Sequence, residues 1–182
     1  MTEPTDALTI RCETDADHDQ IARIVAAAFG SSVEAELVDR IRASPEYEPS
    51  MALVAELEGE IVGHVMISGA RLHHSEGDRS IALLSPLAVA PDRHKSGIGA
   101  ALVEAVVAVA DQRGVPMVVL EGDPGYYGRM GFEPSAGYGI TMPLPDWAPK
   151  EAAQIRRLTA YASDDPTLRG EVSYPAAFDG VD

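Results

Sequence analysis

The sequence predicts one α/β domain, and three observations support that fold class. Strand-like and helix-like segments follow one another in the order β-α-α-β-β-β-α-β-α-β-β. Residues 91–102 join a strand to a helix through two glycines. Hydrophobic residues make up 46% of a 182-residue chain, which is enough for one sizeable core. We therefore expect a domain over residues 8–162, with a tail of residues 1–7 before it and a tail of residues 163–182 packed on it.

Hydrophobic spacing predicts the elements of the first half. Residues 8–11 form a short strand, and five apolar residues mark one face of a first helix: Ile21, Ile24, Val25, Ala28 and Phe29. Ser31 followed by Glu34 predicts a capping box that starts a second helix. The inward residues of that helix are Val33, Leu37, Val38 and Ile41. Residues 51–57 and 61–68 are predicted to pair as a hairpin.

The second half continues with a strand over residues 81–89 and a helix over residues 100–113, which Gly114 closes. Strands over residues 117–120 and 140–144 follow. Residues 151–161 have helix-forming composition, so propensity alone leaves them open between helix and strand. Residues 164–182 are predicted to be mostly irregular.

The turn before the third helix has the features of an anion site. Gly97 and Gly99 let a ligand approach the backbone closely, and the first amides of a helix have no internal partner. The helix dipole adds partial positive charge there, so a phosphate or pyrophosphate is the expected ligand. A dinucleotide fingerprint is excluded by Leu102, and a P-loop by the order Lys95-Ser96-Gly97. The alternative to a binding site is an ordinary strand-to-helix turn.

A second motif lies about thirty residues further on. Tyr127 is followed at a fixed spacing by Gly131 and Phe132, after a Val/Leu-rich strand. The order of the two motifs resembles the GNAT N-acetyltransferases, whose coenzyme A loop reads Gln/Arg-x-x-Gly-x-Gly/Ala. His94 stands here in place of the usual Gln or Arg. The resemblance covers roughly residues 8–160. The segment around Tyr127 is similar to that of a bacterial branch whose substrates are mostly unassigned.

The resemblance implies a fold and a coenzyme site. The fold has a central mixed, mostly antiparallel sheet whose fourth and fifth strands splay apart, with about four helices. Its final strand would fall within residues 151–161, and we favour a strand there for that reason. Acetyl-CoA would be the cosubstrate, and no metal is implied. The implied coenzyme-binding residues are Leu87, Ala88, Val89, His94, Lys95, Ser96, Gly97, Ile98, Gly99, Ala100 and Tyr127.

The resemblance also implies catalytic roles. The Leu87 amide would bond the acetyl carbonyl as an oxyanion donor. Tyr127 would deliver a proton to the coenzyme sulfur, unless it is only a packed aromatic. Glu121 ends the fifth strand, where a carboxylate could accept the proton of an amine. Asp123 is as consistent with a helix N-cap as with a base. A chain of waters in place of a dedicated base stays open.

The acceptor site in this family lies between the first two helices and the loop that joins the last two strands. The implied substrate-binding residues are Phe29, Ser31 and Trp147, and Trp147 is either a stacking wall or a hydrophobic plug. We expect acetyl transfer to a primary amine of a small molecule by direct attack in a ternary complex. The alternatives are a protein lysine or N-terminal acetyltransferase and a non-catalytic acetyl-CoA sensor.

Composition restricts the partners and the location. A net charge of −15 argues against a nucleic-acid partner. The same charge either attracts cations such as polyamines and amino-sugars or forms a solvated acidic surface. No segment is long and apolar enough to span a bilayer, so no membrane partner is expected. A lone Cys12 and an acidic start unlike a signal peptide predict a cytoplasmic protein, as a monomer or homodimer. Scattered histidines and one cysteine predict no metal site.

Overall fold

The computed structural model describes residues 7–181. Within that range four α-helices pack on one sheet of nine strands. The helices are α1 His18–Phe29, α2 Val33–Arg42, α3 Ile98–Gln112 and α4 Pro124–Tyr127. The strands are β1 Thr9–Cys12, β2 Tyr47–Leu57, β3 Glu60–His73, β4 Arg79–Val89, β5 Met117–Glu121, β6 Glu133–Pro134, β7 Ile140–Thr141, β8 Ala153–Arg157 and β9 Gly170–Ser173. The predicted fold class is confirmed, whereas residues 1–6 of the expected N-terminal tail lie outside the described residues.

The sheet is mixed and mostly antiparallel. Its strand order is β1-β2-β3-β4-β5-β8-β6, and β9 pairs with both β3 and β7. The β4–β5 pair is parallel and is limited to Ala82 opposite Val118 and Leu83 opposite Val119. A register shift between β3 and β4 follows, where one extra residue of β4 is accommodated at Ser85-Pro86. Beyond that bulge β4 and β5 are no longer paired, which confirms the predicted splay.

The helices cover the two faces of the sheet as their apolar residues require. Leu102, Val103 and Val106 of α3 are fully buried against one face. Ile21 and Val25 of α1 are buried on the other face, where α2 also packs. No described helix is long and apolar enough to cross a membrane.

The start of α2 differs from the prediction. The N-cap is Ser32, not Ser31, and no side chain caps the helix. Ser31 Oγ instead donates to Glu34 Oε2 at 2.8 Å, so the expected pair is present without the capping geometry. Val33 was predicted inward but is 41% exposed, because it opens the first turn. Leu37, Val38 and Ile41 are buried as predicted.

The C-terminal part contains more strand than the sequence predicts. β8 pairs antiparallel with β5, so the strand preference within residues 151–161 is confirmed. The strand predicted over residues 140–144 shortens to Ile140–Thr141. The tail, predicted as mostly irregular, includes β9, which pairs antiparallel with β3 through Leu72 and Val172. Gly170 permits this pairing, since a Cβ there would lie 1.9 Å from the His73 carbonyl oxygen.

A buried polar cluster joins the end of β1 to α2, β2 and β3. The Glu13 side chain is 1% exposed. It accepts hydrogen bonds from Arg42 Nε at 2.7 Å and from the Tyr47 hydroxyl at 3.0 Å, and it lies 2.8 Å from His64 Nε2. Burial alone would raise the pKa of Glu13, but the bonds with His64 and Arg42 outweigh burial and hold that pKa well below its usual range. The Glu13 carboxylate is saturated, with partners on both oxygens, whereas His64 Nδ1 is buried with no hydrogen-bond partner within residues 7–181.

Candidate active site

The turn before α3 is built to receive an anion. Gly97 is the N-cap with φ +83°, and Lys95 also has a positive φ of +63°. No side chain caps the helix, so the amides of its first turn stay available for a ligand. Arg93 and Lys95 line the same surface, and neither forms an ion pair within residues 7–181. A fifteen-residue helix behind these amides adds its dipole to the cations.

A cavity of about 450 Å³ extends from this turn along the open edge of β4. Its lining includes every residue predicted to bind the coenzyme. The lining residues are Ala28, Phe29, Leu87, Ala88, Val89, Arg93, His94, Lys95, Ser96, Gly97, Ile98, Gly99, Ala100, Tyr126 and Tyr127. The structure therefore brings the two sequence motifs to one site.

The unpaired edge of β4 offers backbone groups to that cavity. The Ala90 amide donates to the Val62 carbonyl of β3 at 2.9 Å. Since backbone groups alternate in direction along a paired strand, the amides of Leu87 and Val89 point away from β3, into the gap. His94 Nε2 lies 3.0 Å from the Val89 carbonyl, so this ring bridges the turn and the strand edge.

Tyr127 lines the same cavity. Its ring packs edge-on to Tyr126 and Phe132, with centroid distances of 4.9 Å and 5.8 Å. Gly122 makes room for the ring, because a Cβ there would lie 2.4 Å from Tyr127 Cε2. Burial raises the pKa of Tyr127, and its hydroxyl bonds to no group within residues 7–181. The residue is thus a protonated phenol with a free donor.

A second, larger cavity of about 840 Å³ lies on the other side of Phe29, which lines both. Four of its lining residues are acidic, namely Glu34, Glu121, Asp123 and Asp179, and none is Lys, Arg or His. Within residues 7–181 none of these four carboxylates forms an ion pair. Aromatic and proline side chains complete the walls. The cavity is electrostatically suited to a cation with an apolar body.

Within the described part of the chain, the Glu121 side chain has a single hydrogen bond, from the hydroxyl of Tyr174. Burial by the cavity walls raises the pKa of Glu121, and the bond from Tyr174 opposes that effect. Glu121 pairs with Ala153 at the end of the β5–β8 ladder, so the sheet holds the backbone of Glu121 in place.

The comparison with known proteins agrees with this geometry. Residues 9–135 match the family model described as the acetyltransferase (GNAT) domain. The chain belongs to the GNAT acetyltransferase family. The expected enzyme class, an N-acetyltransferase, is thereby confirmed.

Two relatives from Escherichia coli strain K12 match almost all of this GNAT chain. The uncharacterized N-acetyltransferase YjhQ is 30% identical over 165 residues, which are 90% of each chain. The uncharacterized N-acetyltransferase YhbS is 30% identical over 172 residues, 94% of this chain and 98% of the relative. Similarity to these proteins establishes the family without naming an acceptor.

Solved structures show the same fold. A crystal structure of the E. coli YhbS in complex with CoA superposes with a TM-score of 0.88 at 28% identity, covering 100% of this chain and 97% of that one. A GNAT acetyltransferase from Brucella melitensis in complex with acetyl-CoA gives a TM-score of 0.75 at 29% identity, covering 96% and 100%.

Two of the three residues predicted to bind the acceptor, Phe29 and Trp147, line the larger cavity, and Ser31 does not. Phe29 lines it, although its 45% exposure contradicts the predicted place on the apolar face of α1. Trp147 lines it with 78% of its surface exposed, which excludes a buried plug. Ser31 is outside the lining and reaches it only through its bond to Glu34.

Asp123, the other predicted candidate base, and the histidines His64 and His73 have structural partners. Asp123 Oδ1 accepts from the Gly125 amide at 2.8 Å, as an N-cap of α4 does. His64 is fully buried against Glu13. His73 bonds Ser173 Oγ at 2.7 Å and lines neither of the two cavities described above. Glu121 is therefore the base candidate best placed in this GNAT site.

Sequence reasoning missed two residues that hold Glu121 and its neighbours. Tyr174 comes from beyond β9, and Gln154, buried on β8, donates to the Gly122 carbonyl at 3.0 Å. Both contacts span more than thirty residues of sequence, so no local spacing could reveal them. The Val172-Ser173-Tyr174 alternation was a usable sign of a strand, but not of its partner.

Proposed function

We propose that this GNAT protein transfers the acetyl group of acetyl-CoA to a primary amine of a small molecule, by direct attack in a ternary complex. One observation carries the proposal. A cavity with an anion-binding helix start and a free tyrosine hydroxyl adjoins a cavity whose charged residues are all acidic, and Phe29 lines both. The first suits a phosphorylated acetyl donor, and the second suits a protonated amine.

The coenzyme cavity supports acetyl-CoA as the donor. The first-turn amides of α3 suit the pyrophosphate, with Arg93 and Lys95 beside them. The free amides of Leu87 and Val89 suit the amide-rich pantetheine arm. The GNAT proteins YhbS and the Brucella acetyltransferase were crystallised with CoA and acetyl-CoA. The residues present therefore fit this cosubstrate.

The chemistry divides among three groups. The acceptor arrives as an ammonium ion, and Glu121 accepts the proton that it must lose before its neutral nitrogen attacks the acetyl carbon. The nitrogen loses a second proton as the carbon–sulfur bond breaks, which balances the proton that the sulfur gains. The Leu87 amide stabilises the negative charge that develops on the acetyl oxygen, a role worth about 2.7–4 kcal/mol of barrier. The Tyr127 hydroxyl protonates the sulfur as the carbon–sulfur bond breaks. Its raised pKa keeps the phenol protonated, so that it is present as a hydrogen-bond donor to the sulfur.

The acceptor cavity supports a small molecule. Its volume of about 840 Å³ falls within the roughly 300–1,000 Å³ of sites that enclose small ligands. Glu34, Glu121 and Asp179 supply negative charge from three separate parts of the chain. Trp147 and Tyr174 supply aromatic surface, on which an ammonium can also rest. The cytoplasmic location and the monomeric or homodimeric state stay predictions.

The first test is the thermal shift with acetyl-CoA, with NAD and ATP as controls. Selective stabilisation by acetyl-CoA is expected, and a larger shift with NAD or ATP would contradict the coenzyme assignment. Thiol release is then measured against monoamines, diamines and lysine-containing peptides. Turnover of peptides alone would favour a protein acetyltransferase, and stabilisation without any thiol release would favour a sensor.

The variant Tyr127→Phe tests the acid. We expect turnover to fall at least about tenfold, since only the transition state uses this proton, while the dissociation constant for acetyl-CoA stays nearly unchanged. Tyr161→Phe is the control, because that tyrosine lines neither cavity. Equal turnover of Tyr127→Phe and the parent would remove Tyr127 from the mechanism.

A further inference from the structure

The segment that follows β8 leads back to the larger cavity, which its C-terminal residues Tyr174 and Phe178 line. β9 pairs antiparallel with β3 between Arg71 and His73, which places it on the sheet. Leu168 and Val172 are 1% and 5% exposed, so this segment is anchored in the hydrophobic core. Tyr174 comes one residue after β9, and its place in the structure is therefore set by the sheet and not by a free tail.

Tyr174 lies in the wall of the acceptor cavity. Its ring contacts that of Phe178 at a centroid distance of 5.8 Å, and both rings line the cavity beside Glu121. Its hydroxyl donates to Glu121 Oε1, across 53 residues of sequence. Burial and the carboxylate both raise the pKa of Tyr174, so the hydroxyl keeps its proton and acts as a donor.

This bond determines which oxygen of Glu121 is free. A carboxylate has two oxygens, and Oε1 is occupied by Tyr174. Oε2 accepts no hydrogen bond within residues 7–181, so it is the atom available to an amine. A donor on Oε1 also restricts rotation of the carboxylate. Orientation of this kind is what a general base needs, because proton transfer depends on hydrogen-bond geometry.

We propose that Tyr174 is a positioning residue for the transfer reaction, which holds the Glu121 carboxylate with Oε2 directed to the acceptor amine. The proposal rests on the proposed function, because it assigns Glu121 the proton of the amine. It makes the segment from β9 to Phe178 part of the acceptor site. Removing the hydroxyl frees the carboxylate and removes a bond that favours its charged form.

The variant Tyr174→Phe tests this role through the pH profile. The other ionisable residues lining the cavity are Glu34, Asp123 and Asp179, and all of them remain in the variant. Since the hydroxyl lowers the pKa of Glu121, its removal raises that pKa. The acidic limb of kcat/KM against pH should move to higher pH, and kcat/KM on the plateau should fall by about tenfold, a part of the roughly 10²–10⁴-fold that a general base contributes. The dissociation constant for acetyl-CoA should stay the same.

The chain supplies a matched control. Tyr138 also donates to a glutamate, Glu133 Oε2, at 2.6 Å, and it lines neither cavity. Tyr138→Phe removes the same kind of bond and should leave the profile unchanged. Glu121→Gln provides a second check, because Tyr174→Phe should have no further effect on kcat/KM in that background. An unmoved acidic limb in Tyr174→Phe, or additive losses in the double variant, would overturn the proposal.

Failure of the proposed function is distinguished by a measurement without an acceptor. Carboxyl-carbon NMR of glutamate-labelled protein follows the titration of Glu121, assigned with Glu121→Gln. A titration that moves to higher pH in Tyr174→Phe supports the bond even when every amine fails as an acceptor. An unchanged titration rejects the bond whatever the activity. Thermal unfolding of both variants confirms that each is folded.

Discussion

Glu13 and Glu121 are each bonded to a tyrosine hydroxyl, yet they behave in opposite ways. Glu13 is enclosed with Arg42 and His64, and its pKa lies well below the usual range. Within residues 7–181 the Glu121 side chain bonds only to Tyr174, and burial raises the pKa of Glu121. A carboxylate with a fixed cation, here Arg42, and further hydrogen-bond partners is saturated and stabilises the fold. A carboxylate with only a neutral donor keeps one oxygen without a hydrogen bond and has no counter-ion. Such a group is able to bind a cationic ligand.

The largest effect should follow from breaking the saturated cluster. Glu13→Gln leaves Arg42 without its buried counter-charge, and breaking a buried pair in this way costs about 3–5 kcal/mol of unfolding free energy. At roughly 2–4 °C per kcal/mol for a chain of this size, Tm should fall clearly in calorimetry. Glu56→Gln, which breaks the more exposed pair with Arg11, is the control and should cost no more than about 1 kcal/mol. Equal losses in the two variants would contradict the comparison.

Glu121→Gln should have the converse signature. We expect kcat/KM for an amine acceptor to fall by about 10²-fold, because the general base is lost. Unfolding free energy should not fall, since the raised pKa shows that folding disfavours the charged form of Glu121. Glu104→Gln, at the exposed pair with Arg156, is the control for activity. Full turnover in Glu121→Gln would contradict the role of Glu121 as the base, and water would then have to remove the proton.

The two carboxyl groups should also give opposite slopes of stability against pH. The pKa of Glu13 is lowered by folding, so its contribution is complete above the ordinary value of 4.5 and is lost as pH falls below it. Loss of one such contribution has a slope of up to about 1.4 kcal/mol per pH unit. The pKa of Glu121 is raised, so its ionisation lowers stability as pH rises above 4.5.

Urea unfolding from pH 3 to pH 7 measures both slopes. Relative to the parent, Glu13→Gln should show a flatter decline in acid, and Glu121→Gln should gain stability toward neutral pH. Parallel curves for the parent and both variants would show that neither group changes its pKa on folding.

The smallest expected effect compares the two tyrosines. Tyr47→Phe removes a hydrogen bond inside the saturated cluster and should lower unfolding free energy by about 1 kcal/mol, with kcat/KM unchanged. Tyr174→Phe should change kcat/KM instead. Chemical denaturation together with steady-state kinetics on both variants checks the pair, and a loss of activity in Tyr47→Phe would contradict the division.

The coenzyme half of the site could be predicted because it is nearly continuous in sequence. Residues 87–100 supply a strand edge, a turn and a helix start, and each of these has a local signature in glycine placement and hydrophobic spacing. Tyr127 belongs to a second local motif. Local chemistry therefore predicts the turn and an anionic ligand, whereas the coenzyme itself was implied by the family resemblance.

The acceptor half could be predicted only in part, because tertiary packing assembles it. Phe29 and Trp147 were expected from the family resemblance. Glu34 enters from a helix face, and Tyr174 enters from the residue after β9, within the predicted tail. The Glu13 cluster has the same origin, since its bonds join residues 29 to 51 positions apart. Single residues at element starts, such as Val33, were misplaced because exposure there depends on the first turn and not on periodicity.

The unpaired carboxylates of the acceptor cavity have a consequence for release. In the proposed reaction an amine arrives with a positive charge and leaves as a neutral amide, so acetylation would remove the property by which Glu34, Glu121 and Asp179 would hold it. The neutral product has no positive charge with which these acidic walls could interact. Acetylated amines should accordingly inhibit weakly, with inhibition constants well above the KM of the parent amine, and product affinity near that of substrate would contradict this. In such a cavity the reaction itself would promote release of the acetylated product.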